Sequence, residues 1–460
     1  MALKLNSFGE AITKGDAAML SLKKKVSIVI TASALLAILT LLTGSPCHAA
    51  LNKSAPVAKL FHKGGTGDCD GCHLMHNSEE EWDDNNDGGT PTKNAHRLKG
   101  SDPSSTCLNC HQNSINNPVM EQYQISTNPV QMAQGMPPRQ LSPGGDFGWL
   151  KKNYSWGNNE RSIGERHGHN IVAADFNYAA DTTIMNAPGG AYPASGLSCT
   201  SCHDPHGNYR RLMDGSIARE GLPVVASGSY ADSPEPDQKG AVSVYRMLAG
   251  KGYPSEGRQF TSDPPAAVAP VSYNRSESAS DTRVAYGSGM SEWCANCHGG
   301  IHNDGNSGVR RHPAGNNAKL TGETVTNYNA YIASGNLNGN SSSAYTSMVP
   351  FEMGTHDYNK LKMTANSSGS DKSGPSTEAN VMCLTCHRAH ASGWDSMTRW
   401  NMQGEFIVYN GRYPGVDNGA PAEFSQGRSA AEVQKTFYDR PAKLYASYQR
   451  SLCNKCHAKD

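Results

Sequence analysis

Six stretches of this 460-residue chain repeat one pattern, Cys-x-x-Cys-His. They begin at Cys69, Cys107, Cys199, Cys294, Cys383 and Cys453. The second thiols are Cys72, Cys110, Cys202, Cys297, Cys386 and Cys456, and the histidines are His73, His111, His203, His298, His387 and His457. Together they use every cysteine except Cys47. Two thiols three positions apart can reach two vinyl groups on one edge of a porphyrin. The next residue then lies under the ring, where its imidazole can ligate the iron. A disulfide framework would not need a histidine after every pair. Structural zinc would need the pairs grouped in fours at shorter spacing. The pattern therefore implies six covalently bound haems of the c type, each iron with a proximal histidine.

Closing six irons takes six more ligands. Ten histidines lie outside the motifs and beyond residue 50: His62, His76, His96, His167, His169, His206, His302, His312, His356 and His390. Full bis-histidine ligation is thus possible. Three of them extend a motif to Cys-His-x-x-His: His76, His206 and His390. Such a histidine cannot ligate its own motif's iron, because the ring blocks it from the far face. It serves another haem or none; where it does serve another, the tether forces two haems close together. His169 and His312 are the next candidates, with His167 or His169 expected at the surface. His62, just before the first motif, suits the first haem. His302 is ambiguous, and His96 and His356 read as exposed polar residues.

The elements that must position these groups are modest. If residues 1–50 are a leader, the remaining 410 contain 52 Leu, Ile, Val and Phe, about 13%, where less than roughly 20% marks chains that cannot build an apolar core. The whole chain carries 41 basic and 41 acidic residues. The leader holds five Lys and two acids, so 36 against 39 remain, a charge of −3. That balance excludes a nucleic-acid binder, which needs a basic excess. It also departs from the high net charge of disordered chains. Haems must replace aliphatic side chains in the interior. The expected fold is a multihaem c-type cytochrome: mostly coil and turns, a few short helices at the motifs and at 430–437, and minimal strand. Segments 262–270, 334–343 and 366–376 read as loops. No linker divides 51–460, which is expected to form a single elongated unit wrapped around a chain of six haems.

Residues 1–50 read as a cleaved signal peptide. Lys23, Lys24 and Lys25 precede an apolar stretch from 26 to 42, and small residues follow up to Ala49 and Ala50,. No other segment is long and apolar enough to span a membrane, so the mature chain is expected to carry no transmembrane span.

The sequence resembles the filament-forming, outer-surface hexahaem c-type cytochromes of metal-reducing bacteria, of the OmcS type. The resemblance runs from about Phe61 to Asp460. It is carried by FHKGG (61–65), CDGCHLMHN (69–77), GGDFGW (144–149), GHNIVA (168–173), CTSCHDPHG (199–207), RVAYGSGMSEWCANCH (283–298), RHPAGN (311–316), CHRAHASGWDSMTRW (386–400) and YQRSLCNKCHAKD (448–460). Several of these lie outside the haem motifs. The resemblance implies bis-histidine haems in a continuous stacked chain and head-to-tail homopolymers. It implies that His76 ligates the haem held by Cys383, Cys386 and His387 in the neighbouring subunit. The other distal candidates it carries over are His62, His169, His206, His312 and His390, with His302 as a further one. An extra segment at 79–96 departs from the pattern.

The function expected is extracellular long-range electron transport to acceptors such as metal oxides, through a conductive filament at the cell surface. The competing readings are a monomeric periplasmic or outer-surface shuttle, and a multihaem reductase. The shuttle would lack the intersubunit ligand, and the reductase would need an open iron.

Overall fold

The computed structural model describes residues 69–73, 98–112, 123–271, 283–302, 312–345, 349–366 and 374–458. His62, His76, His96, the leader and the 79–96 segment lie outside them. Residues from Ala55 onward group into one unit by their contacts.

Helices form where the chain supplies a cap or a thiol turn. α1 is Cys69–Cys72 and α2 is Pro103–His111. Asp102 caps α2 by accepting from the Ser105 N–H at 2.8 Å, and Pro103 fills the first position, where no N–H is needed,. α3 (Met290–His302) carries the fourth motif and is interrupted at His298. α4 (Gly322–Ala330) starts from the Thr321 cap and α5 (Tyr358–Ala365) from Asp357. α6 (Cys383–Cys386) and α9 (Asn454–His457) are single turns at the fifth and sixth motifs. Between them lie α7 (Ala422–Ser425) and α8 (Ala430–Thr436). In α8, Ser429 and Glu432 exchange the two bonds of a capping box,. The third motif takes only a 3-10 turn, Cys199–Ser201.

Strands among the described residues are two or three residues long. The largest sheet has four, in the spatial order Ile217–Ala218, Arg210–Arg211, Ala241–Ser243, Val224–Ala226. The 262–270 segment is not all loop. Ala267–Val268 pairs antiparallel with Ala285–Tyr286, and Ala267 and Val268 are fully buried. Pro264 and Pro265 mark the loop correctly, but the small apolar run after them fits a closely packed ladder. Residues 334–343 are irregular, as expected.

The interior is a set of small aromatic-rich clusters rather than one aliphatic core. Two of them reach the thiols from both sides of the last three motifs. Tyr230, Tyr245, Leu248, Tyr286, Met290, Met382 and Leu384 pack with Trp293 and Cys294. Trp394, Trp400, Ile407, Val408, Tyr413, Phe437 and Leu452 pack with Cys386 and Cys453. A third cluster, around Leu108, Phe147 and Ile171, reaches Cys199. Apolar side chains thus collect where a macrocycle would complete the packing.

Candidate haem-binding sites

Each motif sits on a helical turn, which puts its two thiols on one side. In four of them the histidine N–H closes the turn onto the first cysteine's carbonyl: His73 to Cys69 at 2.9 Å, His203 to Cys199 at 3.0 Å, His387 to Cys383 at 3.0 Å and His457 to Cys453 at 3.1 Å. None of the twelve motif cysteines is paired in a disulfide. No group of three or more His, Cys, Asp or Glu gathers around a point among the described residues. The donors instead come as isolated thiol pairs and opposed imidazoles, which does not suit zinc.

The imidazoles are oriented through Nδ1. That atom lies 2.9 Å from Tyr123 O in His111, 2.9 Å from Arg246 O in His203, 2.9 Å from Pro188 O in His298 and 2.8 Å from Ser396 O in His387. A carbonyl can only accept, so Nδ1 carries the proton and Nε2 keeps its lone pair for a metal. Burial pushes His111, His203 and His387 below the usual histidine range and holds them as neutral ligands,.

Four of these imidazoles face a second histidine. Ring centres are 6.3 Å apart for His73 and His206, 6.5 Å for His203 and His390, 6.0 Å for His298 and His169, and 6.2 Å for His457 and His312. Two imidazoles on opposite faces of one metal, each bonded at about 2 Å, hold their centres roughly 6 Å apart. Two of the facing residues are anchored like the proximal ones. His169 Nδ1 donates to Ala389 O at 2.7 Å and His312 Nδ1 to Pro313 O at 3.0 Å. Burial pulls His169 down to about 4 and His390 to about 3, so both are neutral.

Glycines make the His390 mount possible. Gly145 has φ +95°, and a Cβ there would run into the Ala391 carbonyl oxygen; one on Gly168 would meet the His390 carbonyl oxygen,. The close approach lets the His390 N–H donate to Gly144 O at 2.8 Å and the His169 N–H to His390 O at 2.9 Å. The ligand candidates for the third and fourth sites are therefore on one paired stretch of backbone, with Phe147 stacked on His390 at 4.8 Å.

The thiols also run in order. Cys107 lies beside Cys199, and Cys294 beside Cys383. The remaining steps are close enough for the thiols to feel one another: Cys72 with Cys110, Cys202 with Cys297, and Cys386 with Cys453 and Cys456. Every consecutive pair of motifs is linked, so the six attachment points form one unbroken row.

Other histidines fall differently from their sequence reading. The position opposite His73 is taken by His206, whereas sequence order pointed to His62. Neither His167 nor His169 is a surface residue. His167 is fully buried, with Nδ1 2.9 Å from Trp149 O and Nε2 2.7 Å from Ser162 Oγ. His302 faces no motif histidine; its Nε2 lies 3.5 Å from Glu292 Oε1. His356 is exposed. His387 has no histidine opposite it among the described residues. Sequence reasoning also missed Glu352, fully buried, which accepts from the Met290 N–H at 2.7 Å at the start of α3. Burial lifts it to about 7. No local signal marks it.

Thiol pairs, metal-ready imidazoles and opposed rings together fit covalently attached haem. No helix among the described residues is long and apolar enough to cross a membrane. No family model matches the chain. It is 51% identical over 426 residues to the C-type cytochrome OmcS of Geobacter sulfurreducens, spanning 90% of this chain and 98% of that protein. The cryo-EM structure of the OmcS nanowires from the same organism matches with a TM-score of 0.75 and 48% identity, over 87% of this chain and all of the other. A structure of the Outer Membrane Cytochrome S filament gives 0.77 and 49% with the same coverage. On this likeness and on the six motifs it explains, the chain belongs to the OmcS family of c-type cytochromes.

Proposed function

We propose that this protein is an extracellular electron carrier that polymerises head to tail and conducts electrons along a row of six covalently bound haems to external acceptors such as metal oxides. Haem supplies the one-electron ferric/ferrous couple. The twelve motif cysteines attach it, and His73, His111, His203, His298, His387 and His457 are its proximal ligands. His206, His390, His169 and His312 are the distal ligands of the first, third, fourth and sixth irons. His62 is the remaining candidate for the second, and His302 ligates none.

The observation that carries this reading is the direction of the tethered histidines. The third motif's second histidine faces the first motif, and the fifth motif's faces the third. Each reaches two sites back. The same step from the first motif leaves the chain and lands on the fifth site of the preceding subunit. His76 therefore closes the iron above His387 of a neighbour and is the polymer link. The filaments of the OmcS structures support the same assembly. Residues 1–50 are removed on export, and 51–460 act as one unit.

An iron closed on both faces passes electrons without binding substrate, so the protein is a carrier rather than a reductase. The test is His76→Ala, read by negative-stain microscopy with the haem count from intact mass. Filament loss with six haems kept is the expected result; unchanged filaments would remove the link. Carbon monoxide or nitrite shifting the spectrum of the native protein would restore the reductase reading.

A further inference from the structure

Five motifs carry no basic residue between their thiols: Asp70-Gly71, Leu108-Asn109, Thr200-Ser201, Ala295-Asn296 and Leu384-Thr385. The sixth carries Lys455. Its side chain is only 2% exposed. Nζ lies 4.0 Å from the ring centre of Tyr345, 4.4 Å from that of Tyr328 and 5.6 Å from that of Tyr331. It donates to Tyr345 O at 3.2 Å and to Tyr331 O at 3.4 Å. The cage is itself braced. α4, which carries Tyr328, packs on α9, and Gln449 Nε2 donates to the Tyr331 hydroxyl at 2.8 Å.

Ring faces and carbonyl oxygens present negative potential from every side, which suits an ammonium and not an uncharged amine. Burial works against that charge. No carboxylate is paired with Lys455 among the described residues. A methionine would fill the same space without that opposition. A cation kept at this cost beside one attachment edge has an electrostatic use. A positive charge near an iron favours the ferrous form, because the ferric form is the more positive of the two.

We propose that Lys455 raises the reduction potential of the sixth haem and so helps it to hold an electron. The effect needs no contact with the iron. A unit charge within roughly 10 Å, at an effective dielectric of about 20, changes a one-electron equilibrium by about tenfold, or about 59 mV. The proposal deepens the electron-carrier reading and rests on it.

The test is a spectroelectrochemical titration of the purified protein beside Lys455→Met, Lys455→Gln and Lys455→Arg, with haem content measured as the pyridine haemochrome. Met and Gln should lower one of the six steps by about tenfold in its equilibrium and leave five in place. Arg, which keeps the charge, should restore it. If Met depletes the sixth haem, Gln carries the comparison, since it keeps donors for the carbonyls and removes only the charge. An unshifted Gln titration with six haems overturns the proposal, and so does an Arg variant that shifts as far as Met. Haem count and filament formation report on the electron-carrier reading separately.

Discussion

The third and fifth haem sites look alike until their far faces are compared. Both are built on Cys-His-x-x-His, both close the turn with a 3.0 Å bond from the histidine N–H to the first cysteine, and both fix Nδ1 on a backbone carbonyl. The third site has His390 opposite His203, delivered by the fifth motif and seated between Phe147 and two glycines. The fifth site has no histidine opposite His387 among the described residues. On the ligation proposed above, identical local chemistry ends in two outcomes, one closed from within and one completed by a ligand from elsewhere. A motif says how a haem is held, and only the path of the chain says who completes it.

That contrast can be broken most sharply with paired ligand variants. His76→Ala should abolish filaments altogether while six haems remain, as set out above. His390→Ala should do the reverse. Filaments persist, and one iron in six becomes high-spin and binds carbon monoxide, measured by titrating the gas against the visible spectrum. If both variants lose filaments equally, the distinction between the two sites fails.

Glu352 separates the supports of the two sites. It holds the start of α3, whose Cys294 lies beside Cys383 of the fifth site. Its folded value of about 7 is above the ordinary glutamate value of 4.5. The folded state thus keeps this proton where the unfolded chain has released it. The stabilisation is full below about pH 4.5 and is lost as pH rises to about 7, by up to about 3 kcal/mol. Glu352→Gln should remove that slope, seen as melting temperatures that diverge less between pH 5 and pH 8 than those of the parent. The smallest effect belongs to His302→Ala. It should leave all six irons low-spin and the filaments intact, checked by electron paramagnetic resonance of the oxidised protein.

The attachment chemistry was plain in the sequence because Cys-x-x-Cys-His is local: five residues hold the whole instruction. Opposed pairs such as His73 with His206 were not, since no short-range signal joins positions so far apart. His167 was misjudged for the same reason. Either it or His169 was expected at the surface, yet Trp149, Ser162 and Arg428 enclose it, the last from a distant part of the chain. The strand at Ala267–Val268 was hidden behind two prolines, and the tyrosine cage of Lys455 drew on three separate segments. The low aliphatic content did foretell an interior without one large core.

The backward reach of the tethered histidines also sets a timetable. A chain emerging from the membrane amino-terminus first presents His73 long before His206, and His203 long before His390. On the ligation proposed above, the first and third irons would wait, held on one side only, until a later stretch arrives, whereas the fourth and sixth would find His169 and His312 already exported. Closure would thus be delayed at some sites and immediate at others, and on the same proposal the fifth would await another molecule.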